Sequence, residues 1–178
     1  MIFVVKVGGS LFDLPDLGPR LQRWLAKRTE EHIVLVPGGG ATADVVRAWD
    51  LHHQLGDERS HWLALRAMTL NAYLLADLLG GVPLLQGVER LEHSIVVLDA
   101  YEFIRRDEGR SGCLPHTWGV TSDAVAARVG VVAGADRLVL LKSTDQGADD
   151  FVDAYFASIV AQARGLQVQA VNFRAELA

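Results

Sequence analysis

Short apolar runs of β character alternate with helically patterned segments from one end of this chain to the other. The runs are Ile2–Val7, Ile33–Val36, Val82–Leu85, Ser94–Leu98, Arg137–Leu141 and Gln167–Val171. Consecutive apolar, often β-branched positions mark strands covered on both faces, and strands joined by helices pair in parallel. Helices are expected over Leu14–Lys27, Ala41–Trp49, Asp57–Leu79, Asp99–Arg106, Asp123–Val132 and Phe151–Arg164. In the first, Leu14, Leu17, Leu21, Trp24 and Leu25 fall on one side. The third stops at Gly80-Gly81, and the fifth opens behind Thr121 or Ser122, either of which can accept from an early backbone N–H. Residues 107–119 carry Gly, Ser and Pro and read as a loop. The expectation is an α/β fold with a mainly parallel sheet, in one domain over residues 1–178.

Two of the runs end on glycine-rich turns: Lys6-Val7-Gly8-Gly9-Ser10 after the first, and Pro37-Gly38-Gly39-Gly40 after the second. Without Cβ atoms such turns let backbone N–H groups approach an anion. A lysine inside an apolar strand is costly unless it is used, because a buried charge needs a partner. Neither turn has the G-x-G-x-x-G spacing of a dinucleotide fingerprint, and no run ends as G-x-x-x-x-G-K-[ST]. Ligands of open parallel sheets bind beyond the carboxyl ends of the strands. That edge would gather Lys6, the two turns and Lys142. An extended Trp118–Val120 would bring Thr121, Ser122 and Asp123 there too. Lysines, glycine turns and helix N-termini on one edge suit a phosphoryl group, whose transfer needs positioning and charge relief more than a covalent nucleophile.

The net charge of −5 argues against nucleic acid, so an anionic substrate must be met locally. Half the residues are hydrophobic, enough for a sizeable core. The single cysteine, Cys113, excludes an internal disulfide framework. The apolar stretch Leu63–Leu79 is interrupted by Arg66, Asn71 and Asp77 and reads as a buried helix rather than a membrane span. With no signal-peptide pattern at the N-terminus, a cytoplasmic location away from membranes is expected. His52, His53 and His61 lack zinc-ligand spacing, so no metal-ligating residues are expected. The apolar helix from Trp62 to Leu79 also offers a face for a homodimer.

Four segments, in order, resemble the amino acid kinase family, which includes acetylglutamate, aspartate, uridylate and isopentenyl phosphate kinases. They are Val5–Ser10, Pro37–Gly40, Thr121-Ser122-Asp123 with Ala126-Ala127, and Ala135–Leu141. The resemblance implies a three-layer α/β/α sandwich and an ATP-dependent kinase. It implies that Lys6 neutralises the transferred group and that Gly8, Gly9 and Ser10 hold the ATP phosphates. Gly38, Gly39 and Gly40, with Thr121 and Ser122, would line the meeting point of donor and acceptor. Asp123 would orient the catalytic lysine. Lys142, Ser143, Asp145 and Gly147 would approach the nucleotide, and Mg2+ would bridge its phosphates through water and phosphate oxygens.

A narrower resemblance is to the small aspartokinase-related kinases of the methanofuran pathway, part of one-carbon cofactor synthesis. It rests on Gly39–Arg47, Ser60–Ala64, Arg66-Ala67-Met68, Trp118 and Val152–Phe156. Those enzymes phosphorylate an aminomethyl-furanmethanol phosphate, so a second anion must be held. Arg47 and His61 are the candidates by position. The family's Asp-Gly pair is here interrupted as Asp145-Gln146-Gly147, and Lys142 stands where several relatives have Thr. Longer members also carry a catalytic lysine in a C-terminal extension, for which Lys142 would substitute. Two alternatives therefore stay open. One is a family kinase acting on a carboxylate or another phosphate monoester. The other is a non-catalytic nucleotide or phosphometabolite sensor.

Overall fold

The computed structural model describes residues 1–28, 32–144, 154–163 and 165–175. Six strands form one sheet: β1 (Ile2–Val7), β2 (His32–Pro37), β3 (Leu84–Leu85), β4 (Ile95–Leu98), β5 (Arg137–Lys142) and β6 (Gln167–Asn172). Their order is β3-β4-β2-β1-β5-β6, and every pairing is parallel. The helices are α1 (Leu17–Ala26), α2 (Gly40–His53), α3 (Asp57–Leu78), α4 (Ala100–Asp107), α5 (Ser122–Ala133) and α6 (Ala154–Gln162).

Alternation along the central strands builds two cores. Val4, Val34, Val36, Leu138 and Leu140 face α5 and α4, whose Ala124, Val125, Phe103 and Ile104 complete that layer. Phe3, Val5, Val7, Ile33, Leu35, Val139 and Leu141 face α1, through Leu17, Leu21, Trp24 and Leu25. These are the three layers of an α/β/α sandwich, and β1 lies at its centre with five of its six residues buried.

The 22-residue helix α3 serves both cores. Leu65 and Met68, before Asn71, join the α5 side, whereas Ala72, Leu75 and Ala76, after it, join the α1 side. The helix changes sides at Asn71. It is not buried all round as expected: Leu70, Tyr73 and Leu74 are exposed along its outer face. Among the described residues no helix is long and apolar enough to cross a membrane.

Local departures from the sequence reading have physical causes. α1 starts at Leu17 rather than Leu14, because Pro15 holds Leu14 in an extended conformation. Gly9 and Ser10, read as part of the first glycine turn, open a short 3-10 helix over Gly9–Asp13. α2 runs four residues beyond Trp49 to His53, where Gln54 takes a left-handed capping conformation. β3 keeps two of its four expected residues. Trp118–Val120 is not extended: the Val120 N–H donates to the Thr117 carbonyl and the Gly119 N–H to Thr117 Oγ1, closing a turn. Thr121 therefore reaches the sheet edge as the N-cap of α5, not as the end of a strand.

Register places the glycine turns. Val7 pairs with Pro37 on one side and Leu141 on the other, so Gly8, Gly38 and Lys142 leave the sheet as neighbours. Chain order runs outward from β1 through β2 and β4, then resumes on the opposite side at β5. The β1–β5 junction is thus a switch point, where an open parallel sheet leaves a crevice.

Candidate active site

Lys6 sits at the fifth position of β1, and its side chain points to the α5 side of the sheet, opposite Val5 and Val7. α5 begins with Asp123 in its first turn, capped by Thr121, whose Oγ1 accepts from the Asp123 N–H at 3.2 Å. Lys6 Nζ lies 2.9 Å from Asp123 Oδ1, and Lys142 Nζ contacts Oδ2 of the same carboxylate. Lys6 is 5% exposed and Asp123 3%. Two lysines on one carboxylate leave one unit of positive charge at the sheet edge.

Burial drives the Lys6 pKa below its ordinary value, outweighing the attraction of Asp123. Burial pushes Asp123 the other way, but Lys6 and Lys142 together hold its carboxyl below the usual range. Asp123 is therefore a fixed anion between two cations. Lys6, desolvated and near Lys142, is a strong site for a further negative group, which would raise its pKa back toward the ordinary value.

The glycine turns pack directly on each other. A Cβ on Gly9 would lie 2.1 Å from the Gly40 nitrogen, and one on Gly40 would lie 2.2 Å from the Gly9 carbonyl oxygen. Gly40 also has φ of +51°. The first requirement for glycine here is the close approach of two loops, a reason the sequence reading did not contain. Gly38 sits against both Gly9 and Ser122 Oγ. On the β5 side, Ser10 Oγ donates to Ser143 Oγ at 2.9 Å, closing the crevice beside Gly8.

Asn71 fastens the second turn. Its Nδ2 donates to the Gly38 carbonyl at 2.7 Å and the Gly39 carbonyl at 2.8 Å, while Thr42 Oγ1 donates to Asn71 Oδ1 at 2.9 Å. The sequence reading treated Asn71 only as an interruption of an apolar stretch. A lone amide in such a stretch was the available signal, because buried amides are kept where they are satisfied. Asn71→Ala would strand two backbone carbonyls. The expected cost is about 1–3 kcal/mol of stability and about tenfold in kcat/KM, read by urea denaturation and steady-state kinetics.

Beyond the turns lies a pocket of about 120 Å³, lined by Gly39, Gly40, Ala43, Arg47, His61, Ala64, Met68, Thr117, Trp118, Val120, Thr121 and Ser122. It gathers six of the seven expected acceptor residues, with Gly38 directly behind them. Trp118 forms one wall, its Nε1 donating to Asp50 Oδ2 at 2.6 Å. The Arg47 guanidinium lies 5.2 Å from the Trp118 ring and pairs with Asp44 at the exposed rim. The sequence offers Trp118 only through the narrower resemblance and the expected extended segment, and it offers no signal for Asp50. The nucleotide-side expectations Asp145 and Gly147 lie outside the described residues.

His61 is 4% exposed, and burial and then the neighbouring His116 lower its pKa to about 4. His116 stacks on it at 5.1 Å, and Glu58 opposes these effects weakly. The unfolded chain binds a proton on this ring below about pH 6.5, the folded chain only below about pH 4. Stability must therefore fall as pH drops through that window, by about 2–3 kcal/mol from this group. Urea denaturation at pH 7 and pH 4.5 should show a smaller acid loss in His61→Leu than in the wild type.

The amino acid kinase family pattern matches residues 1–146. The chain belongs to the amino acid kinase family. As a member it is a phosphotransferase, and the lysine–carboxylate–lysine group and the paired glycine turns lie within the matched segment. This kinase is 27% identical over 164 residues to the [5-(aminomethyl)furan-3-yl]methyl phosphate kinase of Methanocaldococcus jannaschii, covering 88% of this chain and 73% of that one. Its fold is similar to uridylate kinase from Archaeoglobus fulgidus, with TM-score 0.70 and 17% identity, covering 98% of this chain and 93% of that one. It is likewise similar to UMP kinase from Ureaplasma parvum, with TM-score 0.68 and 13% identity, covering 97% and 89%.

The residues present fit a nucleotide triphosphate. One net positive charge, glycine turns closed to side chains, and the free first-turn N–H groups of α2 converge on one crevice. Among the described residues no group of three or more His, Cys, Asp or Glu could hold a metal.

Proposed function

We propose that this kinase transfers the γ-phosphoryl group of ATP, as its Mg2+ complex, to aminomethyl-furanmethanol phosphate. The observation that carries the reading is the small pocket opening onto the glycine turns. Its volume of about 120 Å³ is near that of a cavity that admits benzene, about 150 Å³. A furan ring matches it better than a nucleoside does. The relative from Methanocaldococcus jannaschii, similar along most of both chains, supports the same acceptor.

In this reading an oxygen of the acceptor's phosphate attacks the γ-phosphorus. A new P–O bond forms, the bond to the β–γ bridging oxygen breaks, and ADP leaves with that electron pair. The acceptor oxygen is already an anion near neutral pH, so no general base is required. Lys6 meets the charge on the transferred group, and Asp123 holds Lys6 and Lys142 in register. Gly8, Gly9 and Ser10 border the ATP phosphates and Ser143 the nucleotide side. Gly38, Gly39, Gly40, Thr121 and Ser122 separate donor from acceptor, and Arg47 stands at the mouth where an incoming anion passes. Magnesium, when bound with the phosphates, neutralises part of their charge. A pair of copies joined through the exposed Leu70, Tyr73 and Leu74 of α3 and Trp49 of α2 is the proposed assembly, tested by sedimentation equilibrium.

The deciding experiment follows ADP release and phosphorus NMR with aminomethyl-furanmethanol phosphate, isopentenyl phosphate, UMP, aspartate and acetylglutamate. Diphosphate formation on the furan is the expected result. Turnover confined to another acceptor would replace this reading.

A further inference from the structure

Trp118 stands between two hollows. It lines the pocket of about 120 Å³ beyond the glycine turns and also an outer hollow of about 550 Å³, bordered by Arg47, Asp50, Leu51 and Gln54. Among the described residues, Arg47 and Trp118 alone line both. They form the partition, with the Arg47 guanidinium 5.2 Å from the centre of the indole ring.

The two halves of the partition are held differently. Arg47 is exposed and pairs with Asp44, three residues earlier on the same helix, a surface contact of little strength. Trp118 is tied to another element. Its Nε1 donates to Asp50 Oδ2 at 2.6 Å, and Asp50 Oδ1 accepts from the Gly56 N–H at 3.0 Å. The bond from Trp118, more than any other influence, holds the Asp50 carboxyl below its usual range, so an anion receives the indole N–H. Asp50 thus fastens the indole to α2 and to the joint leading into α3.

The backbone that carries the indole is anchored as well. Arg128, 6% exposed, donates to both carboxylate oxygens of Asp107, at 2.7 Å and 2.9 Å, and to the Ser111 carbonyl at 3.0 Å. These bonds fix the start of the 107–119 loop, and the turn at Thr117 and the N-cap of α5 fix its end. Moving the indole aside therefore means breaking its bond to Asp50.

We propose that the Trp118 indole, fastened by Asp50, sets the upper size limit of the acceptor. A phosphate monoester with one small ring stays inside the inner pocket. A bicyclic or nucleoside group would have to pass through the partition into the outer hollow. The proposal rests on the acceptor reading above and adds the residue that decides size. Asp50 is a positioning residue, acting through Trp118.

The test compares wild type, Trp118→Ala, Asp50→Ala and Asp50→Asn on two acceptors. These are aminomethyl-furanmethanol phosphate and 2-naphthylmethyl phosphate, whose bicyclic ring is larger than the benzene admitted by a cavity of about 150 Å³. The wild type should prefer the furan compound by at least about a hundredfold in kcat/KM. Trp118→Ala should cut that preference by about tenfold or more, chiefly through a lower KM for the naphthyl compound. Asp50→Ala, with the indole still present, should cut it by about threefold to tenfold, the range of one net hydrogen bond. Asp50→Asn, whose amide oxygen can accept from the indole, should keep most of it. Thermal unfolding and ATP affinity near wild-type values show that each variant is folded. An unchanged preference in Trp118→Ala overturns the proposal, and so does an unchanged preference in Asp50→Ala. Calorimetric binding of both monoesters, with ADP present, separates this inference from the acceptor reading. If the furan compound binds without turnover while Trp118→Ala gains affinity for the naphthyl compound, the acceptor reading fails and the size limit stands. Furan turnover in the wild type with no such gain in Trp118→Ala does the reverse.

Discussion

A Lys6→Ala enzyme is expected to lose about a hundredfold to a thousandfold in kcat while ATP affinity stays within about threefold. Lys6 is the buried cation of the crevice, 2.9 Å from Asp123, and it lies beside the turn where both phosphoryl groups must meet. A charge held in a dry, preorganised place acts on the transition state more than on the bound ground state. Removing it takes the net charge of the lysine–carboxylate group from one positive unit to none. The fold should tolerate this well. Burial already opposes the charged form of Lys6, and Asp123 keeps Lys142 as a partner, so a change within about 1 kcal/mol is expected. Steady-state kinetics with thermal unfolding on the same sample checks both halves. Unchanged kcat would remove Lys6 from the reaction.

Asp123→Asn should be damaging on both counts. It leaves two ammonium groups facing an amide that can accept from one while presenting N–H groups to the other. Breaking a buried ion pair by removing one partner typically costs about 3–5 kcal/mol, and a similar loss of stability is expected here. Turnover should fall by at least about a hundredfold, because neither lysine is then held in place. The sign of the pH dependence distinguishes this cause from simple misfolding. Lys6 in the folded protein has a pKa below its unfolded value, and without Asp123 it drops further. Between those two values the unfolded chain binds more protons, so the variant should regain stability as pH rises toward 10. In the wild type Asp123 is depressed, so its contribution is present above about pH 4 and fades as acid titrates it. Urea titrations at pH 7 and pH 9.5 would show the gap between variant and wild type closing. A constant gap would assign the loss to packing.

The elements of this fold were largely legible because their signals are local. Six strands and six helices follow from runs and periodicities within a dozen residues. The errors cluster where a second constraint overrode the pattern: Pro15 delaying α1, and Thr117 closing a turn over residues meant to extend. The site was legible at Lys6 and the glycine turns, where sequence cost is highest. A charge in a buried strand and repeated loss of Cβ atoms both demand an explanation. Asn71 shows locally only as a lone amide in an apolar stretch, and Trp118 and Asp50 carry no local oddity. Their meaning lies in contacts across 33 residues from Asn71 to Gly38, and across 68 from Trp118 to Asp50.

Sequence alone thus determined the parallel α/β framework, the buried lysine and the two anion-suited turns, since each is encoded within one short segment. Tertiary structure decided the rest. Register between β1, β2 and β5 set the turns side by side, and the crossing of α3 placed Asn71 on the carbonyls of the second turn. Burial and then the stacked His116 hold the His61 pKa well below its ordinary value. Burial and partnership set the charge and direction of a side chain, and both are properties of the folded neighbourhood rather than of the residue.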